Sequence, residues 1–97
     1  MNEFLDILRY CVKHDNADVH GHYAYLSEEV GEIAHCLNAY LKGRTAPEPI
    51  EMEIADTLIS TLGLLVYLNP DITEEQLMEL LGTKIKKWEA RTDDRCG

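Results

Sequence analysis

The stretch Ile50-Glu51-Met52-Glu53-Ile54-Ala55-Asp56-Thr57-Leu58-Ile59-Ser60-Thr61-Leu62-Gly63-Leu64-Leu65-Val66-Tyr67-Leu68 decides the fold. At roughly 100° per residue, Ile54, Leu58, Ile59, Leu62, Leu64, Leu65, Val66 and Leu68 cover most of a helical circumference, while Glu53, Asp56 and Ser60 share one narrow sector. A helix that is apolar nearly all round is a buried one. In a chain of 97 residues, the other helices cannot easily surround it, so a subunit interface is the expected cover.

Working outward, the pattern predicts three more helices and no strand. Phe4, Ile7, Leu8 and Cys11 give one apolar face to a first helix over Glu3 to His14. Asp15 to Gly21 reads as a turn, with Asn16, Asp18 and Gly21 as breakers. A second helix, His22 to Lys42, carries the stripe Leu26, Val30, Ile33, Leu37 and Leu41 and ends at Gly43, which fits a C-cap. The loop to the third helix holds Pro47 and Pro49. After Asn69-Pro70-Asp71, Thr73-Glu74-Glu75-Gln76 fits a capping box for a fourth helix, with Leu77, Leu80, Leu81, Ile85 and Trp88 on its inner face and Lys84, Lys86, Lys87 and Arg91 toward its end. Residues 93–97 read as a frayed tail. The expected architecture is one all-α domain over residues 1–97, a four-helix bundle-like subunit with a buried third helix, assembled into dimers or tetramers.

Carboxylates supply the chemistry. Glu29 and Glu32, three residues apart, are neighbours on the second helix and flank its apolar stripe. Glu53 and Asp56 repeat that spacing on the third. Either pair alone is usually a solvated face; an acidic strip on an otherwise greasy helix is not. Buried carboxylates without partners are costly or become protonated. The second and third helices offer one basic residue, Lys42, at an end. A divalent cation resolves the conflict, as in bundles that build metal sites from inward carboxylates on facing helices, and an all-oxygen set suits Mg²⁺ or, as a substitute, Mn²⁺.

Glu28-Glu29-Val30-Gly31-Glu32, then 20 residues, then Glu53-Ile54-Ala55-Asp56 resembles the EExxE…ExxD signature of the MazG-like, all-alpha nucleoside triphosphate pyrophosphohydrolases. The flanking LSEEVGEIAHCLN and EIADTLISTLGLLV, and the basic KIKKWEAR from Lys84 to Arg91, are similar too, so the resemblance runs from about His20 to Arg91. It implies Mg²⁺-dependent hydrolysis of NTP or dNTP to monophosphate and pyrophosphate, in housecleaning or control of nucleotide pools. It implies four-helix subunits paired into dimers or tetramers. By position it makes Glu29, Glu32, Glu53 and Asp56 the catalytic metal ligands, while Glu28 matches the motif's first acid and would either support the ligands, orient a water or simply face solvent. Lys84, Lys87 and Arg91 would contact phosphate. Two departures bear on the nucleotide: Ala24 to Ser27 lack the lysine that many relatives carry before the first acids, and Trp88 stands where many have asparagine. Trp88 could stack on a base, although a Trp on an inner face is more often core.

Composition excludes several other classes. The net charge of −9 argues against nucleic acid, whose backbone attracts basic surfaces, while leaving nucleotides open through bound metal. Cys11, Cys36 and Cys96 are an odd set without framework spacing, as expected of free thiols in a reducing compartment. No signal peptide is recognisable, and the apolar run Leu58 to Leu68 is too short for a bilayer. The cytoplasm is therefore the expected address, with no membrane partner. His14, His20, His22 and His35 invite metal readings, and Glu32-Ile33-Ala34-His35 is an ExxH element, but a di-iron bundle needs two of them. His20 and His22 read as surface or capping groups of the entrance loop rather than ligands, though either could touch a nucleotide. The alternative of a different class is a non-catalytic helical module that oligomerises and binds nucleotide or protein.

Overall fold

A computed structural model describes residues 2–45 and 48–96, with the backbone alone at residues 2 and 93–96. Pro47, Gly97 and the Cys96 side chain lie outside that description. Four helices account for most of it, α1 (Asn2–Asp15), α2 (Val19–Leu41), α3 (Ile50–Leu68) and α4 (Glu74–Cys96), and no strand occurs among the described residues.

Capping chemistry sets the boundaries. α2 starts at Val19, three residues before the expected His22, because the Asp18 carboxylate accepts a hydrogen bond from the Gly21 amide at 2.9 Å. That bond holds the Asp18 carboxyl below its ordinary pKa. The turn shrinks accordingly, with Asn16 in the left-handed region at φ 62°. Gly21 is not a breaker: it lies in the first turn of α2, where a Cβ would come within 2.9 Å of the Ala17 Cβ. At the other end, Gly43 at φ 68° donates to the Tyr40 carbonyl and Arg44 donates to the Ala39 carbonyl. This is a Schellman motif built on the expected glycine. Pro49 caps α3 through its carbonyl, which accepts from Met52 and Glu53, and the acids Glu51 and Glu53 suit that helix end. The capping box of α4 forms as read. Thr73 N donates to Gln76 Oε1 at 3.0 Å and Gln76 N donates to Thr73 Oγ1 at 3.2 Å. α4 stays helical through Cys96, beyond the Thr92 limit that the sequence suggests.

α3 is the central element. It packs extensively against α2 and less so against α1. Leu8, Val66 and Ile72 form the core, with Val12, Leu62, Leu65 and Leu77 against them. Ile72 belongs to the α3–α4 connection, yet it is 1% exposed. Arg9 explains its position. The guanidinium donates to the Pro70 carbonyl at 2.8 Å and to the Ile72 carbonyl, and it pairs with Asp6 at 2.8 Å. One α1 side chain thus clamps the connection and aims α4.

That aim corrects the expected four-helix bundle. α4 has no extensive packing with any other helix. Of its apolar face, Leu77 reaches the core, while Leu80, Leu81, Ile85 and Trp88 are exposed. The expectation of a buried third helix holds on one side: Val66 and Gly63 are buried, whereas Met52, Ile54, Leu58, Ile59 and Leu68 are exposed in the single chain. The shape agrees. The radius of gyration is 16.3 Å, against about 13 Å for a compact domain of 100 residues. Among the described residues, α4 reaches the core through Leu77 in its first turn, beyond the connection pinned by Arg9.

Two substitutions test this account by urea unfolding. Ile72→Ala should lower stability by about 2–5 kcal/mol, the range for emptying a fully buried aliphatic site. Gly63→Ala should be neutral or stabilising by up to about 1 kcal/mol. The added Cβ would meet Val12 Cγ2 at an ordinary 3.8 Å.

Candidate metal centre

Helical spacing and the α2–α3 contact bring acids from both helices to one place. Glu29 on α2 and Glu53 and Asp56 on α3 each offer a carboxylate oxygen, and the three atoms lie within 4.8 Å of one another. Glu32 stands outside that trio but close enough to raise the Glu53 pKa. Glu28 is exposed and adds its charge to the field on Glu29.

A further acid joins from the loop. Glu48 lies close enough to Glu53 to be the first cause of its raised pKa. Helical periodicity cannot place a loop residue. The available signal was an acid just ahead of the proline that caps α3. Cys36, four residues after Glu32 on α2, is buried nearby. Burial first, then the charges of Glu53, Glu48 and Glu32, push its thiol pKa up.

The electrostatics are unbalanced. Glu53 is 6% exposed, and its Oε2, like Glu29 Oε2, is buried without a hydrogen-bond partner. Contact with Glu48, then burial, then contact with Glu32 push the Glu53 pKa up to about 7. Glu29 is raised as well, by burial first and then by the charges of Glu32 and Asp56. Among the described residues no ion pair reaches any of these acids. An ion held at 2.0–2.1 Å from each of two oxygens places them at most about 4.2 Å apart. Separations up to 4.8 Å therefore close with a sub-ångström shift of side chains. The donor set is all oxygen and anionic, and it fits a hard divalent cation.

The other residues singled out by the sequence fall elsewhere. Lys84, Lys87 and Arg91 are exposed on α4 and make no ion pair with the carboxylates among the described residues. Trp88, expected on an inner face, is 62% exposed beside Ile85. Ser60 is not part of the acidic cluster; it lines a groove farther along α3. His22, read as a surface or capping group, is buried instead. Because α2 begins at Val19, His22 falls inside the helix, with its ring 4.8 Å from that of Tyr67 and edge-on to Tyr25 at 5.9 Å. No protein-family model matches the chain, and neither does any curated protein or solved structure.

The carboxyl cluster makes a pH prediction for the metal-free protein. In the folded state Glu53 keeps its proton up to about pH 7, whereas in the unfolded chain it loses it near the ordinary carboxylate value. Between those limits the folded state binds more protons, so stability falls as pH rises. The unfolding temperature should drop from pH 5 to pH 7.5 in the presence of a chelator, and Glu53→Gln should flatten that slope.

Proposed function

We propose that the chain is a Mg²⁺-dependent nucleoside triphosphate pyrophosphohydrolase of the MazG-like kind, converting NTP or dNTP to the monophosphate and pyrophosphate in nucleotide-pool housecleaning. The observation that carries this reading is the Glu29, Glu53 and Asp56 cluster, with two buried oxygens lacking partners and no neutralising side chain among the described residues. The EExxE…ExxD resemblance supports it from the sequence. Glu29, Glu53 and Asp56 would hold the ion, with Glu32 beside them. When bound, Mg²⁺ or Mn²⁺ would supply charge neutralisation to the phosphates and acidify water. Phosphoanhydride cleavage then depends mainly on positioning and electrostatics. Glu32 and Glu48, already in contact with Glu53, can take the proton of an attacking water.

A second copy would complete this site. In one chain the basic end of α4 stands away from the acids, and the exposed apolar faces of α3 and α4 lack cover. A homodimer or homotetramer covers such faces and gives Lys84, Lys87 and Arg91 a route to the phosphates of a neighbouring site. The rival reading, a non-catalytic oligomeric binding module, draws on the same separation of α4 from the carboxylates.

The discriminating assay is pyrophosphate release from a panel of nucleoside triphosphates, with and without Mg²⁺. Release should require the metal, and Glu32→Gln or Asp56→Asn should lower it by about a hundredfold or more while the helical circular dichroism persists. Nucleotide binding without turnover would select the module instead. Light scattering should give a dimer or tetramer, and Leu58→Glu, placing a charge on the exposed face of α3, should shift it toward monomer.

A further inference from the structure

A groove of about 510 Å³ runs between the C-terminal half of α1, the start of α2 and the middle of α3, a size that accommodates small ligands. Its walls are apolar at Leu8, Val12 and Ile59 and carry a few polar groups, His22, Tyr25 and Ser60. His22 is 5% exposed, and its Nε2 is buried with no hydrogen-bond partner. Buried polar atoms are normally paired, so this ring nitrogen is a recognition group without its complement. The Tyr25 hydroxyl donates to the Asp15 carboxylate at 3.4 Å. At the rim, the rings of Tyr10 and His14 stack at 4.0 Å.

Gly63 gives an independent indication. It is buried in the middle of α3, where a glycine weakens a helix. Neither backbone nor packing demands it: the residue is helical, and a Cβ would meet only Val12 Cγ2 at 3.8 Å. Its missing side chain leaves the groove open. Ser60, also on the wall, lies one helical turn beyond Asp56 of the carboxylate cluster.

We infer that this groove seats the base of the nucleotide, a neutral planar nitrogen heterocycle whose edge is read by His22 and the Ser60 hydroxyl. The nucleotide itself rests on the pyrophosphohydrolase reading above. The groove chemistry stands apart from it. Apolar walls with a few convergent polar groups suit a flat ring with a hydrogen-bonding edge. An aliphatic ligand would leave His22 Nε2 without a partner, and an anion would meet the Asp15 carboxylate.

The test uses free nucleosides, which carry no phosphate. Metal-free protein with ¹³C-labelled histidine is titrated with adenosine, guanosine, cytidine and uridine while the His22 ring resonance is followed. At least one nucleoside should move that resonance saturably. Ser60→Val and Gly63→Leu should each weaken the response by about tenfold. The inference is overturned if no nucleoside moves His22, if both variants respond like the parent, or if His22 responds only to dilution, as for a groove covered by a second copy. Pyrophosphate release is measured in parallel. Nucleoside binding without cleavage of any triphosphate would keep the groove and remove the catalytic reading. Cleavage without a His22 response would do the reverse.

Discussion

Carboxylates from two packed helices meet where no cationic side chain reaches among the described residues, and the character of this protein depends on that repulsion. α2 and α3 make the largest contact in the chain, and the same contact forces Glu29, Glu53 and Asp56 together, with Glu32 and Glu48 close by. Glu53 is buried and Glu29 partly so, whereas Asp56 stays exposed. The crowding raises the pKa of both Glu53 and Glu29. An interface that exists to bury apolar surface would be better served by apolar residues at those positions.

The clamp at Arg9 has the second largest consequence. By holding the Pro70 and Ile72 carbonyls, it drives Ile72 into the core and sends α4 away from the other helices. The result is an extended subunit with apolar surface on two helices. Large exposed patches of this kind mark interaction sites in soluble proteins. The acidic α2–α3 pair and the basic end of α4 are complementary in charge but separated in the single chain.

Local signals were legible wherever a short-range rule governs. The capping box at Thr73 and Gln76 and the glycine of the Schellman motif at Gly43 follow from residues a few positions apart, and both form as read. The i,i+3 acids on α3 likewise needed only helical spacing. Failures came where a contact spans the chain or a cap competes. Asp18 capping through Gly21 extended α2 and turned His22 inward. Glu48 lies in a loop, outside any periodicity.

What the sequence determined by itself was the number of helices, their approximate limits and the two acidic pairs, because helix formation, capping and side-chain phase depend on neighbours within a few residues. Tertiary structure decided which of those acids share a site, that Glu48 joins them, that His22 and Gly63 shape a groove, and that α4 leaves the bundle. Each of these depends on contacts between residues distant in the chain, such as Arg9 with Pro70 and Ile72. Their outcome is set by which faces pack together, and no local pattern encodes it.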